Sequence, residues 1–180
     1  MRATTKKLFM IFVLGCVFFL SAQDEKFHQK INQDMYGNFS EAFQKLDFTL
    51  FESIHSKKMI RISGGEGGEI RSVKEYLAGY KKRWNDPKKK ASPIHFRLFE
   101  RITSDSIVSD RGIYRVTYKN DQGETEYSYG QFHVLLQLEN GFWKILIDYD
   151  ANENNTINKT SYDKAYQLSD YQNYWTLRNK

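Results

Sequence analysis

The chain has one cysteine in 180 residues, and that residue, Cys16, sits inside an apolar N-terminal run. Disulfides, thiolate nucleophiles and cysteine-held metals are therefore excluded from everything that follows it. Proline is nearly absent, with two in the whole chain, so proline-rich linkers are excluded as well. The four histidines, His28, His55, His95 and His133, are too widely separated to have metal-site spacing. The single long hydrophobic run, Leu8–Leu20, falls short of the roughly 20 residues that a membrane span needs.

That run reads instead as the core of an export signal over residues 1–23. Arg2, Lys6 and Lys7 precede it, and Ser21-Ala22-Gln23 supplies small residues at a cleavage point before Asp24-Glu25-Lys26. The expected location is the bacterial periplasm or the extracellular space, with no transmembrane segment in the mature chain. Val13-Leu14-Gly15-Cys16 also resembles a lipobox, although Val17-Phe18-Phe19-Leu20 stays apolar where a lipoprotein turns polar. Loss of the leader takes three positive charges from the formal +5, leaving +2. Such a weak, scattered charge excludes nucleic acid as the expected partner.

The whole chain is rich in aromatics, with thirteen Phe, twelve Tyr and three Trp, and is 40% hydrophobic. That is the composition of one folded domain. Phe27, Ile31 and Met35 recur at helical spacing, and Phe43, Leu46, Leu50 and Ile54 continue the stripe. Gly37-Asn38 and Asp47 predict interruptions, with Asp47 as a helix cap. Met59–Ser63 and Glu69–Arg71 read as short strands around a Gly-rich turn. Ser72 and Glu75 form a capping box for a third helix carrying Val73, Tyr76, Leu77, Tyr80 and Trp84. Lys88-Lys89-Lys90 reads as a solvated linker.

After Pro93 the period changes to two. His95–Thr103, Ile107–Lys119, Tyr127–Glu139 and Phe142–Asp150 predict four strands joined by short turns. Helices first and a meander afterwards indicate an α+β domain with the helices packed on one face of a bent antiparallel sheet. Residues 24–150 form this domain, and residues 151–180 are a tail with room for a short helix. Strand alternation places Trp143, Ile145, Ile147 and Tyr149 on an inward face. Phe132, Val134, Leu136 and Leu138 then make a second apolar face, expected to bury itself in a homodimer.

Asn140-Gly141-Phe142-Trp143-Lys144-Ile145, leading to Asp148-Tyr149-Asp150, is similar to the G-x-W-K-I-x-x-x-H motif of the nuclear transport factor two-like, or SnoaL-like, superfamily. Ala42, Leu46-Asp47 and Phe51 resemble its A-x-x-x-x-D segment. The resemblance implies a strongly curved sheet forming a cone, and a small molecule held within it. It implies no single chemistry, because members of the superfamily include isomerases, cyclases, dehydratases and binding domains.

Candidate pocket residues are Tyr36, Tyr80, Trp84, Tyr114, Gln131, His133 and Tyr149. The tyrosines and the tryptophan present apolar bodies with polar tips. His133 is the one histidine placed to act as acid, base or donor, although a structural role is the ordinary one for a lone histidine. Tyr149 stands where relatives carry His, and a phenol is a poor base near neutral pH. Asp148 and Asp150, on the strand face opposite Tyr149, are expected to face solvent. Asp150, Asn152, Asn154, Thr156 and Asn158 resemble a calcium loop, but Asn155 replaces its glycine and Ser161 its closing carboxylate. An Asn-rich turn explains the segment better, and no metal or cofactor is assigned. The residues leave three functions open: an exported domain binding a small hydrophobic ligand, an isomerase, cyclase or dehydratase acting on a carbonyl substrate, and an envelope interaction module.

Overall fold

The computed structural model describes residues 23–65 and 68–177. The leader expected over residues 1–23 lies outside this range except for its last residue. Residues 23–31 form α1, whose Phe27, His28 and Ile31 turn inward. A π-helical turn, Asn32–Gly37, follows without a break and leads into α2 (Asn38–Lys45). The expected interruption at Gly37-Asn38 is thus a wider turn, and the extra residue lets consecutive Met35 and Tyr36 both reach the core. Leu46 ends the helix in the left-handed conformation, φ 54°. Asp47 caps α3 (Phe48–Ser53), its carboxylate accepting from the Leu50 amide at 2.9 Å.

Strands β1 (His55–Ser63) and β2 (Glu69–Ser72) precede α4 (Val73–Trp84), which opens on the Ser72/Glu75 capping box. Then come β3 (Ile94–Thr103), β4 (Ile107–Lys119), β5 (Thr125–Glu139) and β6 (Phe142–Ala151). The tail adds α5 (Lys159–Lys164), α6 (Tyr171–Tyr174) and β7 (Trp175–Leu177). The sheet order is β2-β1-β6-β5-β4-β3-β7. Its β3–β6 meander is antiparallel as expected, whereas β1 joins β6 and β7 joins β3 in parallel. α1–α4 fill the concave side, where Phe39, Phe51, Leu98, Leu136 and Ile145 are buried. Burying each such side chain contributes about 1.5–3 kcal/mol.

Two structural facts reverse the expected faces of the last hairpin. Asn140 and Gly141, φ 52° and 83°, form a two-residue turn that pairs Leu138 with Trp143 and Leu136 with Ile145. Paired residues share a face, so Phe132, Val134 and Leu136 lie in the core beside Trp143 and Ile145 and make no partner surface. Leu138, at the rim, is exposed. The register then slips: Leu135 pairs with Ile147 while Leu136 pairs with Ile145, leaving Leu146 as a bulge. Beyond it Ile147 and Tyr149 fall on the convex side with Leu135 and His133. Asp148 and Asp150 turn inward opposite Val134 and Phe132.

The tail belongs to the sheet. Tyr162 and Ala165 cover Ile113 on the convex face, Tyr166 bridges Leu98, and Trp175 lies beside Arg101 in the β3–β7 ladder. Among the described residues no helix is long and apolar enough to cross a membrane.

Candidate functional site

One row of paired residues crosses the concave face: Arg61, Asp148, Val134, Asp110 and Arg101. It sets two arginine–aspartate pairs on either side of a single valine. The two pairs have different surroundings.

The Arg101–Asp110 pair is sealed, with neither side chain exposed. Arg101 Nη2 donates to Asp110 Oδ2 at 2.7 Å and to Asn32 Oδ1 at 2.9 Å, and the Tyr36 hydroxyl donates to Asp110 at 2.7 Å. His28 Nδ1 stands 3.2 Å from Arg101 Nη1. Burial and the adjacent guanidinium lower its pKa to about 4, so the ring is neutral and Nδ1 accepts. The tail closes this end: Tyr171 stacks on His28, and the Trp175 indole donates to Thr103.

The Arg61 pair borders a cavity of about 130 Å³. Phe39, Phe43, Phe96, Phe132 and Val134 supply apolar wall, and Arg61, Tyr114, Asp148 and Asp150 supply a polar end. Arg61 Nη1 meets Asp148 Oδ2 at 2.8 Å, and Nη2 donates to Asp150 Oδ1. Tyr114 donates to Asp150 Oδ2 at 3.0 Å, and Tyr76 lends a hydrogen bond to Asp148. Burial raises the pKa of Asp148 and of Asp150 above the ordinary carboxylate range, outweighing the attraction of Arg61. Arg61 Nε–H is buried with no hydrogen-bond partner among the described residues. Tyr114 can lie across the sheet because its neighbour on β5 is Gly130, where a Cβ would collide with the phenol ring.

His55 packs against Phe51 and Tyr76, with Nδ1 donating to the Phe51 carbonyl at 2.7 Å. Its pKa is also lowered to about 4, chiefly by burial, and its buried Nε2 has no hydrogen-bond partner among the described residues.

Of the residues singled out from sequence, Tyr80 and Tyr114 line the cavity and Trp84 lies in a groove just outside it. Tyr36 is committed to the sealed pair. Gln131, His133 and Tyr149 are on the convex side: Gln131 and Tyr149 both donate to Glu153, and His133 contacts Ser109 at 2.9 Å. The groups that sequence reasoning missed are Arg61, Asp148 and Asp150. One signal for Arg61 was available, since it shares its alternation phase with buried Met59. Asp150, first position of the calcium-loop resemblance, points into the cone. No group of three His, Cys, Asp or Glu suited to a metal occurs among the described residues.

No family model matches the chain, and no curated protein matches it. Solved structures do. An NTF-2 like protein of unknown function from Shewanella oneidensis matches with a TM-score of 0.57 at 22% identity, over 68% of this chain and 97% of that one. A ketosteroid isomerase-like protein from Erwinia carotovora atroseptica gives 0.51 at 15%, over 68% and 93%. The association domain of the C. elegans kinase CaMKII gives 0.54 at 14%, over 71% and 97%. Likeness at these identities establishes the fold, a helix-lined cone on a curved, unclosed sheet.

Proposed function

We propose that this domain, with its nuclear transport factor two-like cone, binds a small, largely apolar molecule by one polar end. The observation that carries the reading is the Arg61–Asp148–Asp150–Tyr114 cluster at one end of an otherwise largely apolar cavity. Buried ion pairs give little net stability, and apolar residues of equal volume commonly do as well or better. The cluster is therefore better accounted for by what it recognises than by what it stabilises. The cavity approaches the ~150 Å³ known to hold benzene in another protein. The buried part of the ligand is then about one ring, with a hydroxyl or carbonyl at the polar end. Calorimetry with phenol and toluene tests this. Wild-type protein should prefer phenol by about tenfold, the value of one good buried hydrogen bond. Asp150→Leu should lose the preference. Equal binding of the two, or a preference that survives Asp150→Leu, contradicts the reading.

The raised pKa values of Asp148 and Asp150 favour a second reading, proton transfer at a carbon next to a carbonyl. Deuterium incorporation from heavy water into a small cyclic ketone, abolished by Asp150→Asn, would support it. No incorporation would leave binding alone.

Export and pairing belong to the same proposal. N-terminal sequencing of protein recovered outside the cytoplasm should begin just after the Ser21-Ala22-Gln23 segment. A homodimer would use the part of the convex face around Leu135 and Ile147 that α5 leaves uncovered. Sedimentation at high protein concentration that shows only monomer removes the dimer.

A further inference from the structure

A second hollow adjoins the cavity. Phe43, Tyr80 and Val116 line both the cavity and an open groove of about 550 Å³ beside the C-terminal end of α4. Past that shared wall the groove runs along Trp84 to Arg83, Lys88 and Lys89. The Arg83 guanidinium lies 4.2 Å from the centre of the Tyr80 ring, so a positive charge is held at the shared wall. Asp86 is the one acid among the described residues lining the groove, and its carboxylate already accepts from the Lys88 amide.

The two ends differ in sign. The cavity holds one guanidinium against two carboxyls, and the groove holds three cations against one carboxylate. An anionic group entering head first would meet Asp148 and Asp150 in a medium of low dielectric, where like charges repel strongly. At the groove the same group is attracted and stays in water. Lys88-Lys89, which read as a plain linker in sequence, is placed by the fold at the rim of this groove.

Resting on the cavity reading above, we infer that the ligand is an elongated amphiphile bound in one orientation. A neutral hydroxyl or carbonyl lies at the Arg61 cluster, an apolar body passes Phe43 and Tyr80, and an anionic head rests against Arg83, Lys88 and Lys89. A carboxylate, sulfate or phosphate would satisfy the rim equally, because these exposed cations read charge and not shape.

The test compares 4-(4-hydroxyphenyl)butanoate with its methyl ester, followed by fluorescence of Trp84 in the groove wall. Wild-type protein should bind the acid about fivefold more tightly than the ester at low salt, the scale of exposed ion pairs. In the Lys88→Glu/Lys89→Glu double variant the ester should bind as before and the acid should lose its advantage. Half-molar salt should do the same to wild-type protein. The thermal midpoint of the double variant, whose changes are at exposed positions, verifies folding. Equal binding of acid and ester to wild-type protein, or a preference indifferent to both salt and the double substitution, overturns the rim and leaves the cavity standing. Binding of neither compound overturns both.

Discussion

Individual residues decide the chemistry, and Arg61 decides most of it. Among the described residues it is the only cation lining the cavity, shared between buried Asp148 and part-buried Asp150. Arg61→Leu should cost about 3–5 kcal/mol at pH 7, the usual result of leaving buried charge unpaired. Without Arg61 the folded-state pKa values of Asp148 and Asp150 rise further. The deficit is then full at neutral pH and shrinks as pH falls through those values. Urea unfolding of variant and wild type at pH 7 and pH 4.5 measures this, and an equal deficit at both pH values would refute the account. The histidines have the opposite sign. His28 and His55 titrate near 4 in the folded chain, below the ordinary 6.5. The unfolded chain therefore binds protons that the folded chain refuses between those values. Stability is full above pH 6.5 and falls toward pH 4, by up to about 1.4 kcal/mol per pH unit for each histidine. Replacing His28 or His55 by Asn should flatten that slope, and an unchanged slope would show that the ring in question is not buried neutral.

At the scale of elements, the tail is the least expected participant. It seals Arg101, Asp110 and His28 under Tyr171, Tyr174 and Trp175 and adds a parallel strand to β3. A chain ending at Ile157 should lose at least about 4 kcal/mol, since several large apolar side chains are uncovered along with a buried ion pair. An unchanged urea midpoint would make the tail an appendage. Much of the remaining fold was legible from sequence: the Asp47 cap, the Ser72/Glu75 box and the four long strands all rest on local chemistry. The inward cluster was not. A two-residue turn at Asn140-Gly141 obliges Leu138 to face the same way as Trp143, and that rule was available in the sequence. The bulge at Leu146 was not, because a bulge depends on the partner strand's register. It is the bulge that moves Asp148 and Asp150 from the expected solvent side into the cone and Tyr149 out of it. The tail's strand was hidden for a related reason: three residues beside β3 become a strand only where an edge is free to receive them.

At the scale of the molecule, the curved sheet and its helices do two separate things with the same row of side chains. One arginine–aspartate pair is shut in by α1 and the tail and serves the fold. The other is left beside a cavity that shares a wall with a positively charged groove. The proposed function depends on that cavity being occupied by a small molecule in the living cell. Mass spectrometry of small molecules released from the natively purified protein tests this most directly, with a cavity-filled Val116→Trp variant purified in parallel. The account predicts an elongated, anionic amphiphile with a ring-sized apolar end, enriched in the wild-type sample and missing from the variant. Identical small-molecule content in both samples would contradict it.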